Sequence, residues 1–265
     1  MTASDAFKAG HLRQAIDLQL AAVKASPADH GKRIFLFELA AFAGDLDRAR
    51  RQIDALSYSD PELERARVTY LTLLDAETAR RRLFADGVQP GFLDSPPEHV
   101  AYRLDAINAL RDGRPAEAAE LLDKANLMAP PVSGTLNGKP FDTLRDADDL
   151  FGPVLEVFAQ GKYLWLSAEQ VDAVALNPPK VPRDLLWAPA KLVTRAGEEG
   201  DVFLPALYPG SHDHPDDAVK LGRSTDWSAD APVRGRGART FLAGDDGVGL
   251  LEWRELTIVG ESAAG

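Results

Sequence analysis

The sequence predicts an α+β protein in two parts, with helical repeats over residues 1–130 and a β-rich domain over residues 131–265. Three observations support this division. A set of Gly, Ala and Pro positions returns after 34 residues in the first part, and a run rich in Pro and Gly follows Ala129. The second part then consists of short β-prone stretches separated by Gly, Pro and Asp.

The repeat places a glycine, a small residue and a proline at fixed offsets. Gly10, Leu12, Ala15 and Pro27 recur as Gly44, Leu46, Ala49 and Pro61, and a partial further copy is Gly113, Ala118 and Pro130. A glycine suits the turn between two helices, an alanine suits a close helix crossing, and a proline suits a helix end. The period and the offsets resemble the tetratricopeptide repeat, in which helix pairs stack into a solenoid.

Three segments of the first part have the pattern of packed helices. Residues 32–43 and 62–86 carry many apolar side chains and no internal proline or glycine, and the longer segment fills the place of a regular repeat. Residues 99–111 are the third segment, for which Ser95 is the expected N-cap ahead of two prolines in the first turn.

The concave surface of such a solenoid is commonly lined by the first helix of each pair. On that register, the candidate partner-binding residues are Ile34, Glu38, Phe42, Arg103, Ile107 and Leu110. Two interpretations remain open: the apolar members belong to the core, or the set forms a groove for an amphipathic helix of a partner. In the groove, apolar side chains would supply affinity, and the charges of Glu38 and Arg103 would supply selectivity.

Residues 129–140, which are rich in Pro and Gly, are predicted to be a linker or an extended connection that leads into the second part. Three aspartates follow at 146, 148 and 149, where they are expected to favour the start of a helix over residues 151–158. Residues 163–166 are expected to form a strand.

Further along the chain, the β-prone stretches are short and closely spaced. The sequence GDDG at residues 244–247 is expected to turn a hairpin between strands over residues 240–242 and 249–253. The second part is therefore predicted to form a small, mainly antiparallel sheet or partial barrel with one or two helices.

One cluster of residues raises the possibility of metal chemistry. His212 and His214 stand among aspartates in the sequence SHDHPDD, and imidazole and carboxylate groups are ligands for transition metals. This cluster gives the protein an alternative function as a metal-dependent hydrolase. The competing interpretation of the same cluster is a solvent-exposed loop.

The sequence contains no GxSxG, phosphate-loop or HExxH motif. We therefore expect no catalytic residue, no metal and no cofactor.

Charge and composition exclude several classes of partner. The net charge is −11, and it is unevenly distributed, with −3 in residues 1–130 and −8 in residues 131–265. An acidic chain without a basic stripe is a poor candidate for binding nucleic acid or an anionic membrane.

Cysteine is absent, and no signal-peptide pattern or long apolar stretch appears. We expect a soluble, cytoplasmic protein that binds other proteins.

Four segments of the second part carry a family resemblance. LRDADDLFGPVLEVFAQGKYLWL, PRDLLWAPAKL, FLPALYPGS and LGRSTDW occur in this order, and together they resemble the ImpE family, also called SciE-type or TagJ proteins. The resemblance extends over nearly the whole chain, because that family also begins with tetratricopeptide-like helices.

The resemblance implies a non-catalytic accessory protein of a bacterial type VI secretion system. Some family members bind the small subunit of the contractile sheath and the AAA+ ATPase that recycles the sheath, so the same partners are expected here. A regulatory interaction protein outside secretion remains an alternative. The family-motif residues, which are expected to be structural, are Asp146, Asp149, Trp187, Arg223, Asp226 and Trp227. Among them, Arg223 and Asp226 are expected to form an ion pair.

Overall fold

A computed structural model describes residues 1–259, in which seven helices precede a strand-rich region. The helices are α1 (Ala3–Ala9), α2 (Leu12–Ala25), α3 (His30–Phe42), α4 (Leu46–Asp54), α5 (Pro61–Asp86), α6 (Glu98–Arg111), α7 (Pro115–Met128) and the short α8 (Asp217–Lys220). The α+β class predicted from the sequence is confirmed.

The glycines and alanines of the repeat have the roles that their residue types predict, whereas Pro61 does not end a helix but is the first residue of α5. The glycines lie at helix ends with a left-handed backbone: Gly10 (φ 89°), Gly44 (φ 78°) and Gly113 (φ 72°). The alanines are fully buried where helices cross: Ala15, Ala49 and Ala118. The pairs α1–α2, α3–α4 and α6–α7 therefore follow the repeat, whereas the 26-residue α5 takes the place of a pair.

The predicted N-cap of α6 is wrong. This helix begins at Glu98, and the residue at its N-cap is Pro97, in an extended conformation with ψ of 153° and without a side-chain cap. A proline pushes the residue before it out of the helical region. The two consecutive prolines therefore delay the start of the helix past the reach of Ser95.

Thirteen strands follow within residues 133–259. They are β1 (Ser133–Leu136), β2 (Lys139–Phe141), β3 (Leu144–Asp146), β4 (Val154–Ala159), β5 (Lys162–Ser167), β6 (Val171–Leu176), β7 (Trp187–Thr194), β8 (Glu199–Pro205), β9 (Thr225–Trp227), β10 (Gly235–Gly237), β11 (Thr240–Ala243), β12 (Asp246–Gly249) and β13 (Glu255–Val259). The main sheet has eight antiparallel strands in the order β2-β1-β13-β6-β7-β8-β4-β5. A three-stranded sheet, β12-β11-β3, and the pair β10-β9 complete the region.

The two faces of the main sheet pack into different cores. In β5, Leu164 and Leu166 point into a core inside the strand-rich region, where Phe241 and Trp253 also lie. Tyr163 and Trp165 of the same strand belong to a second core that also contains the helices. Alternate side chains of a strand point to opposite faces, so one strand serves both cores.

The predicted linker over residues 129–140 is wrong from Ser133 onward. Strands β1 and β2 form a hairpin there, with Ser133 as the first strand residue. Asn137 and Gly138 connect the strands with φ of 52° and 77°. This is the Asn-Gly turn that two-residue hairpins prefer, so the sequence did contain the signal.

The predicted helix over residues 151–158 is also wrong. Residues Val154–Ala159 form β4, which pairs with β5 through a turn at Gln160 and Gly161. A short apolar run does not distinguish a helix from a buried strand, and pairing on both sides decides the outcome here. The predicted hairpin at GDDG forms, but Asp246 and Gly247 already belong to its second strand. That strand ends at Gly249, where the predicted strand began, and a short 3-10 helix follows.

Candidate functional site

The candidate groove residues lie at the contact between the helices and the strand-rich region. Four of them are almost fully buried: Glu38 (4 % exposed), Phe42 (1 %), Arg103 (0 %) and Ile107 (2 %). The other two, Ile34 and Leu110, are half-buried and pack against the same core. A partner could reach the four buried side chains only if the protein opened.

Glu38 faces a segment of the strand-rich region. Its Oε1 accepts a hydrogen bond from the backbone N–H of Arg183 at 3.3 Å, and burial raises the pKa of Glu38 to about 7. The Arg183 guanidinium stacks 4.7 Å from the ring centroid of Tyr70 in α5. The chain around Arg183 therefore occupies the helical surface that the sequence suggested for a partner.

Arg103 fastens α6 to the loop after β3. Its Nη1 donates to the carbonyl oxygens of Asp149 and Leu150, and its Nη2 donates to Asn126 in α7. Burial lowers the pKa of Arg103 to about 10. Gly152 has φ of 51°, and a Cβ there would lie 2.3 Å from the Arg103 guanidinium, so glycine permits this close approach.

A buried ion-pair chain crosses the same contact. Arg80 of α5 donates from Nε and Nη2 to the carboxylate of Glu156 in β4, at 2.8 and 2.6 Å. Nη2 of Arg239 lies 2.6 Å from Oε2 of Glu156, the oxygen that Nη2 of Arg80 also contacts, and Nε of Arg239 lies 3.0 Å from Asp146. Burial by itself would raise the pKa of Glu156, but the two arginines lower it to about 2. Buried charges are tolerated when they are paired in this way.

Two of the family-motif aspartates do not cap a helix, which corrects the sequence-based expectation. Asp146 ends β3 and accepts a hydrogen bond from the Tyr208 hydroxyl at 2.8 Å, and burial raises its pKa to about 7 although Arg239 opposes that shift. Asp149 accepts from the backbone N–H of Val233 at 2.7 Å. Both carboxylates organise loops of the strand-rich region.

The expected Arg223–Asp226 ion pair does not form. Arg223 instead donates to the carbonyl oxygens of Phe7 and Lys8 at the end of α1, where unpaired helix carbonyls need donors. Asp226 lies 3.2 Å from Nε2 of His214. The guanidinium of Arg223 thus joins the strand-rich region to the first helix.

The two tryptophans of the family motif have different environments. Trp187 is 2 % exposed and lies 6.4 Å, ring to ring, from Phe37 in α3. Trp227 is 37 % exposed and packs edge-on against Tyr208. Trp187 therefore fills the core shared with the helices, whereas Trp227 keeps part of its ring at the surface.

His212 and His214 point to different neighbours. The His212 ring packs at the turn between α3 and α4, where a Cβ on Gly44 would lie 2.2 Å from it, and burial lowers its pKa. His214 pairs with Asp226. Within residues 1–259, no group of three or more His, Asp or Glu side chains is arranged to hold a metal ion.

A cleft of about 370 Å³ opens beside His212, between α5 and the segment after β8. Its apolar lining residues are Phe84, Ala85 and Pro209, and its polar lining residues include Glu77, Arg80, Arg81 and Asp213. A smaller cavity of about 30 Å³ adjoins it and shares Arg80 and His212. We call the larger space the α5 cleft.

None of the helices in the described residues is long and apolar enough to cross a membrane.

Comparisons with known proteins place the chain in a family. The profile of the ImpE family, described as ImpE protein, matches residues 138–257. The type VI secretion system accessory component TagJ of Pseudomonas aeruginosa is 35 % identical over 257 residues, which cover 97 % of this chain and 90 % of that protein. The chain belongs to the ImpE family. The resemblance seen in the sequence is thereby confirmed.

A solved structure shares the ImpE fold of this chain. The crystal structure of protein VPA1032 from Vibrio parahaemolyticus superimposes with a TM-score of 0.89 and covers 99 % of both chains at 24 % identity. The helices and the strand-rich region therefore keep this arrangement in a distant sequence.

Sequence reasoning missed the residues that link the two regions of this ImpE protein. Arg80, Glu156 and Arg239 are charged residues that lie far apart in the chain. Charged residues are usually exposed, and no local pattern shows which of them meet in the fold. The family motif contains Asp146 and Asp149, but it does not reveal their contacts with Tyr208 and Val233.

Proposed function

We propose that this ImpE-family protein is a non-catalytic accessory component of a bacterial type VI secretion system. The observation that carries the proposal is the 35 % identity with TagJ, which extends over nearly the full length of both chains. Similarity of this extent covers both the helices and the strand-rich region, so it supports a shared role and not only a shared domain.

The proposed activity is binding of other proteins of the system. The partners implied by the family resemblance are the small subunit of the contractile sheath and the AAA+ ATPase that recycles it, and the expected location is the cytoplasm with them. The contacts of Arg80, Arg103 and Arg223 support a rigid scaffold, because each arginine ties a helix to the strand-rich region. A scaffold that is ordered before binding loses little conformational entropy when it binds a partner.

The rigid scaffold also bears on where a partner would bind. Glu38 and Phe42 are covered by the strand-rich region, so a partner that binds the closed protein must use the remaining surface. This argument favours openings such as the α5 cleft over the candidate groove.

An affinity pulldown from the native bacterium tests the proposal. The full-length chain carries the tag, and mass spectrometry quantifies the captured proteins against an unrelated tagged bait. We expect enrichment of the sheath small subunit or of the AAA+ ATPase. Purified sheath subunit and calorimetry then establish direct binding. No enrichment, with sheath proteins abundant in the lysate, would refute the proposed partners.

A further inference from the structure

Residues 178–185, between β6 and β7, form a strap that lies against α3 and α5. Three of these residues are prolines, which have no backbone N–H to donate. Apart from the turn to the adjacent Leu186, the strap makes one hydrogen bond with the rest of residues 1–259, in which the backbone N–H of Arg183 donates to Oε1 of Glu38 at 3.3 Å. The strap therefore lacks the ladder of hydrogen bonds that holds a strand in its sheet.

Hydrogen bonds inside the strap hold it together as a unit. The buried carboxylate of Asp184 accepts from the backbone N–H groups of Lys180 and Val181, at 2.9 and 3.3 Å. The same carboxylate lies 3.2 Å from the Arg183 guanidinium. A segment that is bonded within itself and has few bonds to its surroundings can open locally while the rest of the protein stays folded.

The carboxylate under the strap has no cation of its own. Glu38 is 4 % exposed, and within residues 1–259 no Lys, Arg or His side chain forms an ion pair with it. The Arg183 guanidinium is paired with Asp184 instead. The other titratable groups that face Glu38 are Asp184 and Tyr70, and neither supplies positive charge. Burial without a paired cation disfavours the ionised form, which is why the pKa of Glu38 rises to about 7.

We propose that the strap opens and closes on the folded protein, and that ionisation of Glu38 favours the open form. In the open form, water solvates the charge of the carboxylate, whereas the closed form keeps this charge buried beside an uncharged donor. The α3 face under the strap is thus covered at low pH and exposed more often at high pH. This inference goes beyond the proposed function and does not depend on it, because it concerns the protein without any partner.

The direction of the pH dependence follows from proton binding by the two forms. The pKa of Glu38 is about 7 in the closed form, and in the open form it returns to the ordinary value of 4.5. Below pH 4.5 both forms are protonated, so opening does not depend on pH. Between the two pKa values, the population of the open form rises about tenfold for each pH unit, and above pH 7 the rise levels off.

Amide hydrogen exchange of the full-length protein, followed by mass spectrometry from pH 5 to pH 8, tests the strap. Exchange of the unfolded chain at each pH corrects for the intrinsic pH dependence. We expect peptides that cover residues 180–185 to lose protection by roughly tenfold or more between pH 5 and pH 7. They should also be far less protected at every pH than peptides of β4, which pairs with strands on both sides. Equal protection of the strap and β4 would mean that the strap opens only when the whole protein unfolds, and the proposal would be overturned.

Glu38→Gln tests whether this carboxylate is the group that responds to pH. The amide oxygen can still accept from Arg183, but the side chain cannot ionise, so protection of the strap should change less than about twofold over the same range. Glu199→Gln alters an exposed carboxylate outside the strap and should keep the pH dependence of the wild type. Circular dichroism at each pH confirms that the three proteins are folded. If Glu38→Gln lost protection with pH as the wild type does, the proposal would fail.

Discussion

At the scale of a single residue, Glu156 carries the charge that two arginines share. Removal of this charge is expected to destabilise the folded protein. Glu156→Gln keeps the size of the side chain but leaves Arg80 and Arg239 without their common counter-charge. Breaking a buried ion pair by removing one partner costs about 3–5 kcal/mol. We expect a loss of that size in the free energy of unfolding, measured by urea denaturation.

The control for this variant is a carboxylate in a surface pair. Glu199 lies beside Lys191 and is 53 % exposed, so Glu199→Gln is expected to change stability little. Equal losses for the two variants would show that the buried network does not contribute more than an exposed pair.

Glu38 gives a prediction with a defined pH dependence. Burial raises its pKa from 4.5 to about 7 in the folded protein. The stabilisation that comes from this raised pKa is therefore fully present below pH 4.5, where Glu38 is protonated in both the folded and the unfolded protein. It is lost as the pH rises towards 7 and above. Glu38→Gln cannot ionise, so its stability relative to the wild type should rise by about 3 kcal/mol between pH 4.5 and 8, at about 1.4 kcal/mol per pKa unit.

The measurement for Glu38 is urea unfolding of both proteins across that pH range. Other titrating groups cancel in the difference between the two proteins. A difference that stays constant with pH would contradict the buried, pKa-shifted environment of this side chain.

At the scale of elements, the sequence predicts those parts whose signals are local. Helices α3 and α5 and the β11–β12 hairpin follow from apolar spacing and turn residues within a few positions. Strand β4 does not, because its apolar run is compatible with a helix until β5 and β8 pair with it. The contact of Arg80 with Glu156 spans 76 residues, so no local pattern could have predicted it.

The turn between β4 and β5 offers a test of hairpin geometry. Gln160 has φ of 50°, a conformation that Asn tolerates better than other residues with a Cβ. Gln160→Asn creates the Asn-Gly turn that two-residue hairpins prefer, and it is expected to raise stability by about 0.5–1 kcal/mol. Gln14→Asn, on the exposed side of α2, should not stabilise the protein, and equal gains would refute the turn argument.

At the scale of the whole molecule, contacts over long sequence distances join the two regions. Asp217 accepts from the backbone N–H of Leu12 at the start of α2, and Arg223 donates to the end of α1. In addition, α5 places Leu73, Leu74 and Leu83 in the core that also contains Trp165 and Trp187. Neither region would keep its buried apolar surface covered if the other unfolded.

We therefore expect helices and sheet to unfold in one cooperative transition. Far-UV circular dichroism reports mainly on the seven helices, whereas fluorescence reports on the strand-rich region, because all four tryptophans lie there, at positions 165, 187, 227 and 253. The two unfolding curves should coincide in urea.

Leu74→Ala removes a fully buried side chain of α5. It should shift both curves equally and lower the free energy of unfolding by about 2–5 kcal/mol. A shift seen by circular dichroism but not by fluorescence would show that the regions unfold independently, and the argument for a single rigid scaffold would fail.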